Sequence, residues 1–264
     1  MKYLVMCLIF LFSLIPIAYA FEDTQTQHVD TQTQHVYSPE NAVGYSPIVK
    51  SIRRAAVKVI IGNGLGHGSG SYVKLMGGYF VITAAHVVDA PDIPLSIEGQ
   101  DGEVVRAFKV YSNTDLDIAI LSVEKMNTRR AMPFLIQKNI LDVNDILIYS
   151  GYPSHHKLLS FMGKVSGYET HNGLDVVIMH GYGWPGSSGS VLYNANGSIA
   201  GVLWGIDVGR AYVPQLIEDI IWLTPSSAFN MDEILESVCK TQTLRALPRC
   251  LRLEKKKIKE RFQQ

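Results

Sequence analysis

The sequence predicts an all-β domain, a sandwich or barrel, with two barrels packed together as an arrangement that fits the length. Three observations lead there. Short runs rich in Val, Ile, Tyr and Phe recur at regular intervals between residues 55 and 204. Turn signals such as Gly77-Gly78, Asn113-Thr114-Asp115, Asn172-Gly173 and Asn196-Gly197 separate them. No helical period enters until about residue 214. A chain of 264 residues, 47% hydrophobic and 18% charged, can bury a substantial core. Its formal net charge of zero sets up no global field toward nucleic acid or acidic substrates.

Taken in order, Met1-Lys2, the apolar run Tyr3 to Ile17 and the small residues Ala18-Tyr19-Ala20 have the three parts of a secretory signal over residues 1–20, cleaved before Phe21. This predicts a secreted or periplasmic protein. An uncleaved membrane anchor through residues 3–20 is the alternative, since such a run is close to the roughly 20 residues of a membrane span. Residues 23–29 read Asp-Thr-Gln-Thr-Gln-His-Val and 30–36 repeat them letter for letter, so 21–45 are expected to form a disordered polar spacer. His28 and His35 lack further ligands nearby, and no metal is expected.

The folded domain is expected over 46–225. Ala55 to Ile61 reads as a first strand, and the glycines at 62, 64, 66, 68 and 70 as a flexible hairpin. These glycines fit neither a phosphate loop nor the dinucleotide fingerprint, so no nucleotide is expected. Strands follow at 71–75, 79–83, 104–111, 118–123, 145–150, 163–168, 175–180, 190–193 and 199–204. After Pro214 the spacing of Leu216, Ile217, Ile220 and Ile221, then of Met231, Ile234, Leu235 and Val238, predicts one or two closing helices. A helical, basic tail is expected over 226–264; residues 245–264 hold eight Lys or Arg against two Glu. It reads as a solvated face, with a patch for nucleic acid or anionic lipid as the weaker alternative. Cys239 and Cys250, the two cysteines after the signal, form either a local disulfide or two free thiols.

Chemistry concentrates in Pro185-Gly186-Ser187-Ser188-Gly189-Ser190, where a serine between glycines before the apolar run Val191 to Tyr193 presents a hydroxyl at a tight turn. Such a nucleophile needs a base, a group that orients the base, and N–H donors for an oxyanion. His86, ending the run Val81 to Ala85, is the candidate base. Asp117, beginning the apolar run Ile118 to Leu121, is the candidate orienter, because a carboxylate there is costly to bury unless it accepts hydrogen bonds.

Together the blocks Thr83-Ala84-Ala85-His86, Asp117-Ile118-Ala119-Ile120-Leu121 and Gly186-Ser187-Ser188-Gly189-Ser190 resemble those of the chymotrypsin-like serine peptidases. The likeness is closer to the HtrA-type and bacterial glutamyl-endopeptidase branches. Gly68-Ser69-Gly70, Gly151-Tyr152-Pro153, Gly163 to Gly167 and Leu203-Trp204-Gly205 add weaker matches, extending the resemblance over about 50–214. It implies a double six-stranded β-barrel with a C-terminal helical extension. It further implies a His86, Asp117 and Ser188 triad, and an oxyanion hole from the backbone N–H groups of Gly186 and Ser188. The specificity pocket it implies is lined by Tyr182, Gly183, Trp184, Leu203, Trp204, Gly205 and the region of Gly209 and Arg210.

Three departures shape the expectation. Ser187 replaces the aspartate that pairs with a new N-terminus in digestive members, no peptide-binding module of the HtrA type follows Pro214, and Leu203 replaces the histidine of glutamyl endopeptidases. The resulting expectation is a serine endopeptidase acting on peptides or proteins without a cofactor, preferring an apolar or small residue at the cut site. The rival readings are a catalytically silent binding protein of the same fold and a viral-type polyprotein-processing protease.

Overall fold

The computed structural model describes residues 46–241 and Cys250, apart from Pro91 and 211–213. All of these fall in one unit, Ala42–Gln264. The signal-like segment, the duplicated stretch and the basic run lie outside the described residues, except for Cys250 within that run.

The chain enters through a short helix, α1 (Pro47–Ala55), whose start is fixed by Ser46 as N-cap and Pro47 in the first turn. Six strands then close a barrel: β1 (Ala56–Ile61), β2 (Gly66–Leu75), β3 (Gly78–Thr83), β4 (Leu95–Glu98), β5 (Val104–Asn113) and β6 (Ile118–Val123). They are ordered β1-β4-β5-β6-β3-β2, the ring closing where β2 pairs with β1. A two-residue strand, β7 (Met132–Pro133), adds to β2 in parallel. Between β3 and β4 a single helical turn, α2 (Ala85–Val88), carries the candidate base. Val57, Val59, Val73, Val81, Ile82, Ile97 and Ile120 are fully buried inside, each worth roughly 1.5–3 kcal/mol against exposure.

A second barrel closes in the order β10-β13-β12-β11-β8-β9. Its strands are β8 (Ile146–Gly151), β9 (Leu159–His171), β10 (Leu174–His180), β11 (Val191–Tyr193), β12 (Ile199–Arg210) and β13 (Pro214–Pro225). Leu147, Tyr149, Val177, Met179, Leu192, Leu203, Ile221 and Leu223 fill it. The double barrel predicted from the sequence is therefore present.

One local expectation is corrected. The stretch after Pro214 is a strand, paired on both sides, with Leu223 facing Val177 on β10 and Leu203 on β12. Its apolar spacing mimics a helix because the register slips at Ile206/Asp207, where Ile221 and Ile217 become partners of consecutive residues. The expected glycine-bearing hairpin is present, joining β1 to β2 through residues 62–65, and of the glycines within β2 those at 68 and 70 allow close approach. A Cβ on Gly68 would sit 2.7 Å from Val87 and 3.0 Å from the Ser188 carbonyl.

One expected helix exists, α3 (Met231–Cys239), capped by Asn230. Ile234 and Val238 join the core of the first barrel. Cys239 and Cys250 are joined by a disulfide. The barrels meet through polar ties as well as apolar ones. Ser71 and Tyr193, both buried, share a hydrogen bond of 2.6 Å, and Arg53 of α1 donates to Ser160 Oγ on β9 at 2.7 Å.

Candidate active site

The serine turn connects β10 to β11 and is shaped by two glycines at positive φ, Gly186 at 97° and Gly189 at 86°. Gly189 also needs to be a glycine for space, because a Cβ would collide with Ser69 O and Thr83 Oγ1 and lie 2.9 Å from Ala84 N. The turn thus rests on the end of the strand that leads to His86. Ser69 N donates to the Ser188 carbonyl at 2.8 Å, and Gly189 N to the Leu203 carbonyl at 2.7 Å. Ser187 is buried, and its Oγ accepts from Trp184 N at 3.3 Å, so the residue before Ser188 closes the turn on itself.

His86 follows β3 on α2 and Asp117 precedes β6, its antiparallel neighbour. Asp117 is in the left-handed region, φ 49°, a geometry that aspartate tolerates better than most residues. Its turn is held by Leu116, whose N–H donates to Asn113 Oδ1 at 2.9 Å and whose carbonyl accepts from Thr224 Oγ1 at 2.7 Å. Both carboxylate oxygens then grip His86: Oδ1 accepts its backbone N–H at 2.7 Å and Oδ2 accepts Nδ1–H at 2.6 Å. With the proton on Nδ1, Nε2 is the basic nitrogen. The Asp117 side chain is 16% exposed and that of His86 47%, so the ring keeps an accessible edge. Ser188 Oγ makes no hydrogen bond among the described residues. It is free to turn toward a base, and such contacts tighten when substrate binds.

The backbone around the serine is aligned by its carbonyls. The Pro185 carbonyl accepts from Ser154 N at 2.6 Å and the Ser187 carbonyl from Ser190 N at 3.0 Å. In a trans peptide the C=O and the next N–H point in opposite directions, so the Gly186 and Ser188 N–H groups face away from these partners. Among the described residues neither meets a protein acceptor. Two N–H groups left in this state can stabilise a developing negative charge.

The residues expected around a specificity pocket separate into two sets. Tyr182, Gly183 and Trp184 lead into the turn, and Leu203, Trp204 and Gly205 run along β12. Gly183 is closely packed: a Cβ there would fall 2.5 Å from Ile221 Cγ2 and closer still to Ile206 Cγ2. Leu203 is buried in the barrel core. Tyr182 stacks on Phe161 at 5.0 Å, and its carbonyl accepts from the Tyr149 hydroxyl. Trp204 packs edge-on against Trp222 at 5.5 Å, with the His171 ring beside both. Gly209 and Arg210 lie at the far end of β12, with Arg210 opposite Pro214 on β13. Ile206 and Ile221, which do reach Gly183, were not foreseen, because nothing in an apolar strand marks which residue faces the glycine across it.

The sequence profile of the trypsin-like peptidase domain matches residues 68–202. A search of curated protein sequences finds no match. Among solved structures, an inactive serine-to-alanine variant of Rv3671c from M. tuberculosis H37Rv superposes with a TM-score of 0.56 at 18% identity, over 80% of this chain and 97% of that one. The HtrA-type protease AlgW with a tripeptide gives 0.59 at 19%, over 74% of this chain and 63% of that one. The inactive form of the Rv3671c protease gives 0.56 at 19%, over 74% and 93%. With a family match over half its length, and with the double barrel that it shares with these structures, the chain belongs to the trypsin-like peptidases and is a serine peptidase.

Proposed function

We propose that the protein is an exported endopeptidase that cleaves peptide bonds through Ser188, His86 and Asp117. The observation that carries this reading is the double grip of Asp117 on His86, which leaves Nε2 as the basic nitrogen. In the reaction His86 Nε2 takes the Ser188 proton as Oγ bonds to the substrate carbonyl carbon, and the N–H groups of Gly186 and Ser188 hold the oxyanion. Collapse of this intermediate breaks the C–N bond, His86 gives its proton to the leaving amine, and water then releases the acyl group by the same steps. Asp117 keeps the tautomer and stabilises the imidazolium.

A peptide substrate is in keeping with AlgW, whose structure holds a tripeptide. A small or apolar residue at the cut site is favoured by Ile206 and Ile221, which crowd Gly183 and offer no charge to pair with. Export is supported by the signal-like residues 1–20 and by the Cys239–Cys250 bond, since disulfides persist in oxidising compartments. The Ser187 to Trp184 bond favours a turn that needs no newly cut N-terminus to order it.

The test is labelling with a serine-directed fluorophosphonate alongside hydrolysis of a peptide library. Wild type should label and cleave, while Ser188→Ala should do neither and should retain its thermal unfolding transition. Wild-type turnover in purified Ser188→Ala would overturn the reading.

A further inference from the structure

We propose that Ser69 is a positioning residue whose single hydroxyl fixes both peptide planes flanking Gly186. The proposal rests on the reading of Gly186 N–H as an oxyanion donor. Ser69 lies on β2 of the first barrel and is completely buried. Its Oγ donates to the Gly186 carbonyl at 2.7 Å, which sets the plane between Gly186 and Ser187. The same oxygen accepts from Tyr152 N at 2.8 Å. Tyr152 opens the short loop in which Ser154 N holds the Pro185 carbonyl at 2.6 Å, and that bond sets the plane between Pro185 and Gly186. One plane is held directly and the other through this loop.

Gly186 has no Cβ to resist rotation of either plane. What keeps its N–H turned away from the loop is therefore the anchoring of the two carbonyls. The Tyr152 carbonyl is separately tied to His67 Nε2 at 3.0 Å, but the hydroxyl of Ser69 is the group that touches both the loop and the turn. Removing it leaves the Tyr152 N–H and the Gly186 carbonyl without partners, and each can regain one only by moving.

Ser69→Ala is expected to lower kcat about 10- to 100-fold with KM within about threefold, the signature of an interaction made in the transition state. Affinity for a peptidyl boronate, whose tetrahedral oxygen occupies the same place, should fall in parallel, while affinity for the matching non-reactive peptide should not. Ser71→Ala serves as the structural control. It removes a buried hydroxyl on the same strand, which bonds Tyr193 across the barrels away from the turn, and it should lower Tm without lowering kcat. Hydrogen exchange across residues 184–190 is read on the same proteins and needs no activity. The Ser187 and Ser190 amides should exchange at least about tenfold faster in Ser69→Ala than in wild type or Ser71→Ala. If Ser69→Ala does not fold, Ser69→Cys is read the same way with a smaller effect expected. A kcat within twofold of wild type, or unchanged exchange in the turn, would overturn the proposal. An inactive wild type would instead sink the proposed function and leave the exchange result to decide the role of Ser69.

Discussion

Asp117→Asn separates what the carboxylate does from how its backbone sits. Asparagine adopts the left-handed region as readily as aspartate, so the turn with φ 49° keeps its shape. What changes is the pair of hydrogen bonds to His86, at 2.7 and 2.6 Å. An amide offers one acceptor where the carboxylate offers two. With its oxygen on the His86 backbone N–H, its NH₂ faces Nδ1, forces that nitrogen to accept, and moves the ring proton to Nε2, where it blocks general-base action on Ser188. With the oxygen on Nδ1, the NH₂ opposes the backbone N–H, and the first turn of α2 loses its anchor. The first arrangement satisfies both bonds and is favoured, so kcat/KM on a peptide substrate should fall about 10³- to 10⁴-fold, while stability falls by only about 1 kcal/mol. Initial-rate kinetics and fluorophosphonate labelling, paired with thermal unfolding, read the two separately. Asp117→Ala should lose the same activity and also destabilise further, since alanine tolerates this φ poorly. An Asp117→Asn protein with a tenth or more of wild-type kcat/KM would refute the reasoning.

Two further outcomes are expected. Ile221→Ala, at a fully buried position against Gly183, should cost about 2–5 kcal/mol of stability and raise kcat/KM for Leu or Phe over Ala at the cut site by about tenfold or more; an unchanged cleavage profile would place the pocket elsewhere. Burial pushes the hydroxyls of Tyr72 and Tyr152 up from 10.0 to about 12, so both favour the fold in their neutral form; their contribution is complete below pH about 10 and is lost as pH rises toward 12. Tm measured against pH should show this alkaline limb, and Tyr152→Phe, which removes a buried hydroxyl without a partner, should make it shallower; an identical limb would contradict the assignment.

How far the sequence speaks for the fold depends on whether a residue's setting is local. Strands such as β6, with Ile118 to Leu121 all buried, declare themselves by composition. The strand β13 does not, because a slip in its register imitates helical spacing. Short β4 and β7 carry too few residues for a period, and they exist because neighbours pair with them. Glycine is the most ambiguous letter: at 68 and 189 it marks contact between distant segments, which local sequence cannot distinguish from a loop. In the site, the blocks around His86, Asp117 and Ser188 stand out because each places an unusual polar residue beside an apolar run. The left-handed turn at Asp117 and the reach of Ile206, Ile221 and Ser69 depend on long-range packing and leave no local mark.

The hydroxyl of Ser69 and the carbonyl it holds at Gly186 are separated by 117 residues. Contacts spanning that much chain form late, after closure of a long loop. During synthesis the first barrel emerges ahead of the serine turn, carrying His86 and Asp117 but not Ser188. The later barrel brings the serine, and its turn, already tied to Leu203 and Ser154 of its own barrel, gains the two Ser69 bonds only when β2 lies against it. On the proposed mechanism, hydrolysis then requires both barrels to be docked, and a chain with only the first barrel formed should not attack the polypeptides around it.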